Sequence, residues 1–307
     1  MPTRTYRPIR VAALASGTEL TLPLHEIAGD RPGPTLGISA AIHGEEAVGV
    51  EIVYRFLHEA DLSGLAGTLL VLPVANPFSY AGITRSTPID MTNLNRIFPG
   101  NRDGMLTEQL AARMVEEFLT KLDAYVDLHA GGAYPTVDYV YIINDERLSR
   151  AFGSRLLYRP QETLLGTSIS VTRERKIPSV VVELGGGDVD QTAYVRRGIE
   201  GLRNVLRSLQ MLPGAPAAPR AQIVLREIAV IRPHEGGLLI PGVTEMGSEV
   251  PGGTVLGRIV SPYSFKELEV IRSPFDRGIV VLTHQTADVV EPGIYGYMIG
   301  NLATAEP

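Results

Sequence analysis

The amino-acid sequence predicts an α/β fold: a three-layer α/β/α domain around a mostly parallel mixed sheet, followed by a small C-terminal all-β domain. In the first two-thirds of the chain, short apolar runs alternate with longer amphipathic segments, as strands and covering helices do in parallel sheets. A Pro- and Ala-rich linker at 211–222 comes next, and short β-like runs separated by Gly and Pro follow it. We therefore predict domains at 1–212 and 222–307.

The individual elements follow from hydrophobic spacing. Apolar runs predict buried strands at 34–42, 67–76, 124–132 and 179–187. Helical spacing predicts helices at 47–60, 107–122 and 190–210, with Thr107 as the N-cap of the second. In the second domain, strands are predicted at 227–233, 254–260, 267–274 and 278–283.

Composition excludes several classes of protein. The 307 residues are 44% hydrophobic and 20% charged, which is typical of a folded globular chain. No apolar run is long enough to cross a bilayer, and the first ten residues precede no apolar segment of a secretory signal. The absence of cysteine excludes disulfides and fits a cytoplasmic protein. A net charge of −6 argues against nucleic-acid binding. Together with the lack of a membrane-spanning run, it leads us to expect neither nucleic acid nor membrane as a partner.

Reactive side chains follow three of the predicted strands. The stretch HGEE at 43–46 comes after one strand, Asp127 and His129 end another, and Glu183 ends a third. Ligands in open α/β sheets bind beyond the carboxyl ends of the strands, so we expect these side chains to meet in one site. Two imidazoles and a carboxylate are a common ligand set for catalytic zinc.

The HGEE stretch offers two carboxylates for such a site. His43 and Glu46 stand three apart where a strand turns into a helix, and both side chains can bend toward one ion. His129, from a neighbouring strand, would be the third ligand, and Glu45 is the rival of Glu46. Asp127 is a candidate for orienting an imidazole, which is a common support for zinc-bound histidines.

A long loop at 76–100 carries further polar groups. Long loops in compact domains are usually functional, and this one contains Arg85, Asn95 and Arg96. One guanidinium can grip a substrate carboxylate, and the other can stabilise an oxyanion at an attacked carbonyl. A solvated loop position is the alternative for either arginine.

These motifs together resemble the succinylglutamate desuccinylase/aspartoacylase family, which is related to the zinc carboxypeptidases. The resemblance covers roughly residues 35–190, in the family's order. It rests on HGEE, on NP at 76–77, on Arg85, and on the motifs NLNRIFPG, DLHAGG and VELGGG. It implies a zinc-carboxypeptidase-like fold for the first domain, which would then be the catalytic one.

The resemblance also implies a catalytic centre. One Zn²⁺ per chain would be held by His43, Glu46 and His129, which favours Glu46 over its neighbour. Glu183 would be the general base, and Arg85 would polarise the scissile carbonyl.

Substrate-binding residues follow from the same resemblance. Asn95 and Arg96 would bind a substrate carboxylate. Arg173, ten residues before the general base, is a further candidate, with Arg175 as its competitor. The chain departs from the aspartoacylase branch at Asn93, where that branch usually carries an aspartate.

The sequence thus predicts a zinc-dependent hydrolase that cleaves the linear amide of a small N-acyl amino acid or related N-acyl compound. Zinc-activated water would attack the carbonyl, and the glutamate base would pass the proton to the departing nitrogen. The alternatives are a metallocarboxypeptidase acting on short peptides and a non-catalytic binding or carrier protein. The acyl group and the amine are left open, and a homo-oligomer is compatible with the sequence.

The C-terminal domain resembles a barrel-sandwich hybrid, because 265–280 is similar to a biotinyl- or lipoyl-type hairpin. Lys266 is spaced like an attachment lysine, which is the basis of the carrier alternative. A β cap over the active site is the usual alternative, and Tyr263, Tyr295 or Tyr297 could then reach the site. The isolated histidines are interpreted as structural or solvated: His25, His58, His234 and His284.

Overall fold

The computed structural model describes residues 2–162, 164–217, 219 and 221–306. Positions 218 and 220 of the predicted linker, and residues 1 and 307 at the ends of the predicted domains, lie outside the described residues. The first strands are β1 (Thr3–Ala13), β2 (Glu19–Ala28), β3 (Arg31–Ala40), β4 (Ala66–Leu72), β5 (Ala124–His129), β6 (Pro135–Ile142), β7 (Leu156–Tyr158) and β8 (Ser179–Gly185). The remaining strands are β9 (Ile223–Leu225), β10 (Ile228–Ile231), β11 (Gly237–Pro241), β12 (Glu249–Pro251), β13 (Val255–Val260), β14 (Glu267–Arg272), β15 (Arg277–His284), β16 (Asp288–Val290) and β17 (Tyr297–Asn301).

The helices confirm the α/β alternation that the sequence predicts for the first two-thirds of the chain. They are α1 (Ala47–Glu59), α2 (Pro77–Gly82), α3 (Leu106–Glu117), α4 (Glu146–Phe152), α5 (Ser168–Glu174) and α6 (Thr192–Ser208). Short 3₁₀ turns lie at Leu94–Arg96, Leu119–Lys121 and Leu302–Thr304. None of the helices in the described part of the chain is long and apolar enough to span a membrane.

One large mixed sheet organises the molecule. Its main path runs β1-β2-β4-β3-β5-β8-β6-β15-β17-β10. The central pairings β4–β3, β3–β5 and β5–β8 are parallel, and the pairings on either side of them are antiparallel. Parallel strands all end at the same edge, so β3, β5 and β8 deliver their carboxyl ends side by side.

Alternation along the central strands produces the three layers. On β5, Val126 and Leu128 pack with Ile52 of α1 and with the apolar face of α6. Tyr125, on the opposite face, packs with Met114 of α3. Because successive side chains point to opposite faces, the residues that share a face with Tyr125 are Asp127 and His129.

The C-terminal region contributes to two sheets. Strands β14-β13-β11-β16 form a separate four-stranded sheet with its own apolar core, which includes Leu239, Leu256 and Ile259. Strands β15, β17 and β10 instead extend the large sheet beyond β6. C-terminal residues are thereby brought beside the central strands.

The prediction of Thr107 as a helix N-cap is wrong. The residue that precedes α3 is Met105, and Thr107 lies inside the first turn. The backbone N–H and the hydroxyl of Thr107 donate to the Asp90 carboxylate at 2.8 and 2.7 Å. The preceding long loop therefore supplies the acceptor that a capping side chain would otherwise provide.

Candidate metal centre

The HGEE stretch is held in a tight turn between β3 and α1. Ala41 has a left-handed φ of 50°, and Glu46 directly precedes the first helical residue. At Gly44 the backbone passes so close to α2 that an added Cβ would lie 1.9 Å from the carbonyl carbon of Ser79. Glycine is therefore required there, and the turn holds both His43 and Glu46 at the sheet edge.

His43, Glu46 and His129 form a buried cluster that could hold a metal ion. Their ligand atoms all lie within 4.8 Å of one another, and each residue is at most 4% exposed. The Glu46 carboxylate lies between the two rings, with Oε1 2.8 Å from Nδ1 of His43 and Oε2 2.9 Å from Nδ1 of His129. Glu45 lies outside the cluster, with its carboxylate 3.6 Å from the Arg85 guanidinium.

Asp127 orients His129, which confirms that sequence prediction. Its Oδ2 lies 3.2 Å from Nε2 of His129. The hydroxyls of Ser39 and Ser168 donate to the two carboxylate oxygens at 2.7 and 2.6 Å. The fully buried Asp127 is thus fixed from both sides, and it fixes the ring in turn.

Asn93 supports the other histidine. Its Oδ1 lies 3.2 Å from Nε2 of His43 and accepts a hydrogen bond from the Asn95 backbone N–H at 2.9 Å. With each Nε2 facing an oxygen acceptor, each Nδ1 can present its lone pair to the cluster centre. Two imidazole nitrogens and one carboxylate fit a divalent cation such as zinc.

Charge in the cluster also suits a cation. Burial works to raise the pKa of Glu46, but attraction to His43 and His129 outweighs it and holds the pKa below its usual range. Burial works to lower the pKa of His129, but Asp127 and Glu46 raise it well above its usual value. Two buried carboxylates therefore flank one imidazole, and positive charge is stabilised between them.

Glu183 lies beside the cluster because of strand register. It is the Cα partner of His129 in the parallel β5–β8 pair, and its side chain lines the same cavity. Burial raises the pKa of the Glu183 carboxyl to about 8, and the negative charge of Glu46 acts in the same direction. A carboxylic acid that titrates near neutral pH is suited to taking up and releasing protons.

The long loop brings its predicted residues to the same cavity. Nη1 of Arg85 lies 3.3 Å from Oε1 of Glu46. Asn95 is nearly buried, accepts from the Ser168 backbone N–H at 3.1 Å and lies 3.5 Å from Nε2 of His129. Arg96 lines the cavity and has no carboxylate partner among the described residues.

The structure does not bring Arg173 to the cluster of His43, Glu46 and His129. Arg173 lies exposed at the end of α5 and lines a separate cavity of about 210 Å³. Arg175, its competitor, is exposed just beyond the same helix and lines neither cavity.

The cavity lined by His43, Glu46 and His129 has a volume of about 850 Å³. The sheet provides one wall through residues of β5, β8, β6 and β15. The C-terminal region provides part of the rest, through Arg226, Glu227, Ile228, Val230, Tyr295, Met298 and Thr304. Of the three C-terminal tyrosines that the sequence analysis considers, only Tyr295 lines this cavity. Tyr263 is 93% exposed, and Tyr297 is buried, with its hydroxyl donating to the Leu256 carbonyl.

Sequence reasoning missed two groups of residues around the site. Tyr139, Tyr141 and Tyr158 line the cavity, and the signal for the first two was the alternating pattern of the strand 135–142. Arg226 and Ile228 also line it, but no local signal identifies them, because they reach the site only through long-range strand pairing. The structural interpretation of His284 is confirmed, because it is fully buried and bonded to Asp288 at 2.7 Å.

Sequence comparison finds a matching family model and a related protein. Residues 32–209 match the model of the succinylglutamate desuccinylase/aspartoacylase catalytic domain. An N-α-acetyl-L-2,4-diaminobutyric acid deacetylase from Halomonas elongata is 26% identical over 249 residues, which cover 74% of this chain and 70% of that protein.

Solved structures show the same fold over almost the whole chain. A succinylglutamate desuccinylase from Silicibacter sp. TM1040 superposes with a TM-score of 0.84 at 23% identity, covering 98% of this chain and 95% of that one. The product-bound ectoine utilization protein EutE (DoeB) from Ruegeria pomeroyi gives the same TM-score, identity and coverage. The matched segment includes HGEE, the long loop, DLHAGG and VELGGG, whose side chains meet in the cavity. The chain therefore belongs to the succinylglutamate desuccinylase/aspartoacylase family.

Proposed function

We propose that this protein hydrolyses the amide bond of a small N-acyl amino acid, with one Zn²⁺ held by His43, Glu46 and His129. The observation that carries the proposal is the meeting of this buried N, N, O donor set with Glu183 in one cavity. Zinc bound there would supply a Lewis acid that activates water and polarises the scissile carbonyl. The Halomonas elongata relative is named for an N-acetylated diamino acid, which is the first substrate to test.

Glu183 acts as the general base in this proposal. Its carboxylate accepts a proton from the attacking water and passes it to the departing nitrogen. The pKa of about 8, which burial produces, makes the protonated form easy to reach for the second transfer. A cation in the neighbouring cluster would lower this pKa and so favour the ionised base before the reaction.

Arg85 and Arg96 would each stabilise a different negative charge of the reacting substrate. Arg85 lies next to the ligand set and can stabilise negative charge on the oxygen of the attacked carbonyl. Arg96 donates one hydrogen bond to the Asn95 carbonyl at 2.7 Å and keeps other donors for a substrate carboxylate. Asn95 accepts a hydrogen bond from the Ser168 backbone N–H and is the second residue that would bind the substrate carboxylate. Arg173 stays a weaker candidate, because it would contact only a substrate that extends beyond the main cavity.

A substrate panel on zinc-loaded protein tests the proposal. We expect turnover of N-acetyl or N-succinyl amino acids and little or no release of amino acids from dipeptides. Glu183→Gln should retain one zinc per chain and lose about 10²–10⁴-fold in kcat, the usual contribution of a general base. Glu59→Gln, on the exposed end of α1, is the matched control.

Two results would contradict this assignment. Preferential cleavage of dipeptides would favour the metallocarboxypeptidase alternative. Activity of Glu183→Gln within a few-fold of wild type would remove Glu183 from the reaction. The cytoplasmic location stays a prediction of the sequence, and cell fractionation tests it.

A further inference from the structure

Two tyrosines of β6 lie next to the proposed base. In the antiparallel β6–β8 pair, Tyr139 is the Cα partner of Glu183, and Tyr141 is the partner of Val181. Side chains two apart on a strand share a face, so both tyrosines are on the face that carries Glu183. Both also line the 850 Å³ cavity.

The hydroxyls of this pair are linked in one direction. The Tyr139 hydroxyl donates to the Tyr141 hydroxyl oxygen at 3.0 Å. The ring centroids of Tyr139 and Tyr141 are 5.1 Å apart, and the Tyr158 ring centroid lies 5.6 Å from that of Tyr141. The Tyr141 ring therefore has two aromatic neighbours, whose contacts favour a single ring orientation.

Hydrogen-bond counting leaves one donor unused. A tyrosine hydroxyl has one hydrogen, and that of Tyr139 is engaged with Tyr141. The hydrogen of Tyr141 has no acceptor among the described residues, although the side chain is mostly buried and faces the cavity. Buried polar groups usually find partners, so a ligand is the natural acceptor for this hydrogen.

We propose that Tyr141 contacts the substrate, donating a hydrogen bond from its hydroxyl to an oxygen of the bound N-acyl compound, and that Tyr139 is its positioning residue. The inference rests on the proposed function for the identity of the ligand. A hydroxyl that accepts one hydrogen bond becomes a better donor of the next, so Tyr139 both orients and strengthens Tyr141.

The electrostatic surroundings keep both hydroxyls protonated. Burial raises the pKa of Tyr139 and of Tyr141 well above the usual value for tyrosine, and the nearby charge of Glu183 adds to the effect. Neither group therefore ionises near neutral pH. Their role is hydrogen-bond donation, not proton transfer.

Phenylalanine substitutions separate this role from simple packing. Tyr141→Phe keeps the ring and should lower kcat/KM about tenfold, as expected for one lost neutral hydrogen bond. Tyr139→Phe leaves the Tyr141 donor in place and should cost about two- to threefold. The double variant should be no worse than Tyr141→Phe, because Tyr139 acts only through Tyr141. Tyr54→Phe, exposed on α1, is the matched control.

Product binding shows which part of the substrate supplies the oxygen. Calorimetry on zinc-loaded wild type and Tyr141→Phe would use acetate and L-2,4-diaminobutyrate as probes. Weaker binding of acetate assigns the contact to the acyl side, and weaker binding of the amino acid assigns it to the amine side. Turnover by the wild-type protein tests the proposed function. The ratio of kcat/KM between Tyr141→Phe and wild type tests the role of Tyr141 separately.

The proposal is overturned if Tyr141→Phe keeps kcat/KM within twofold of wild type on a substrate that wild type hydrolyses. It is also overturned if Tyr139→Phe costs more than Tyr141→Phe, since Tyr139 would then act independently. Melting temperatures of all variants should lie close to that of wild type, which separates a lost contact from a lost fold.

Discussion

The two sides of the large cavity are built in different ways. On the metal side, His43, Glu46, His129 and Glu183 come from the carboxyl ends of three adjacent parallel strands. On the far side, which begins at β6 next to Glu183, the tyrosines of β6 and the C-terminal residues come from antiparallel strands far apart in the chain. The first side concentrates charge and metal-binding groups, and the second is richer in aromatic and apolar groups. We infer that the metal side performs the chemistry and the far side selects the substrate.

The largest effect should come from removing a metal-side histidine. His129→Ala deletes one of three donors and leaves Glu46 and Asp127 without their shared imidazole. We expect loss of stoichiometric zinc by elemental analysis and loss of activity by at least about 10³-fold, since zinc would supply the Lewis acid of the proposed reaction. His58→Ala, exposed on α1, should retain both. One zinc per chain in His129→Ala would place the metal elsewhere.

Glu183 should make the stability of the metal-free protein depend on pH. The folded-state pKa of about 8 lies above the unfolded value of about 4.5, so the folded state holds this proton more tightly. The stabilisation is complete below the unfolded pKa and is lost as pH rises through about 8. Glu183→Gln cannot ionise and should escape this loss.

Chemical denaturation of both proteins between pH 5 and pH 9 measures the effect. The variant should gain a few kcal/mol over wild type across this window, and bound zinc should shrink the gap by stabilising the carboxylate. If the stability of both proteins varies with pH in the same way, the burial of Glu183 that the structure shows would be contradicted.

A smaller effect should follow from replacing Asn93, the uncharged residue whose side chain faces His43. Asn93→Ala removes the oxygen that faces Nε2 of His43 and should weaken zinc affinity about 10–100-fold, as is usual for outer partners of metal-bound histidines. Asn93→Asp should restore or exceed wild-type affinity, since a carboxylate makes the imidazole more basic. A chelator competition assay measures both variants. Equal affinities in all three proteins would show that His43 needs no partner.

The smallest effect should come from the far side. Tyr295→Phe keeps the ring against Arg232, whose guanidinium lies 4.3 Å from the ring centroid, and removes only the hydroxyl. We expect a change of a few-fold or less in KM, with zinc content and kcat near those of wild type. Zinc loss in this variant would erase the proposed distinction between the two sides.

The same contrast explains what could be predicted from the sequence. His43, His129 and the pair Glu45 and Glu46 were identifiable because parallel strands end at one edge, and polar residues that follow buried runs mark that edge. Asp127 was identifiable because it shares a strand face with His129. Residue spacing alone left Glu45 and Glu46 open, since only the backbone turn at Ala41–Gly44 decides which carboxylate faces inward.

The far side was beyond local reasoning. Tyr139 and Tyr141 alternate in a strand whose place next to β8 has no signature in the sequence. Ile228, on β10, and the adjacent Arg226 reach the cavity because β10 pairs with β17 and β17 with β15, and β10 is four pairings away from β8. Tertiary pairing of this kind depends on the whole sheet, so spacing within one segment cannot reveal it.

The most direct test of the account is a crystal structure of zinc-loaded protein, with anomalous diffraction recorded on both sides of the zinc absorption edge. The account predicts one zinc peak about 2.0–2.2 Å from Nδ1 of His43, Nδ1 of His129 and a carboxylate oxygen of Glu46. A peak bound by other residues, or no peak in the cavity at saturating zinc, would contradict it.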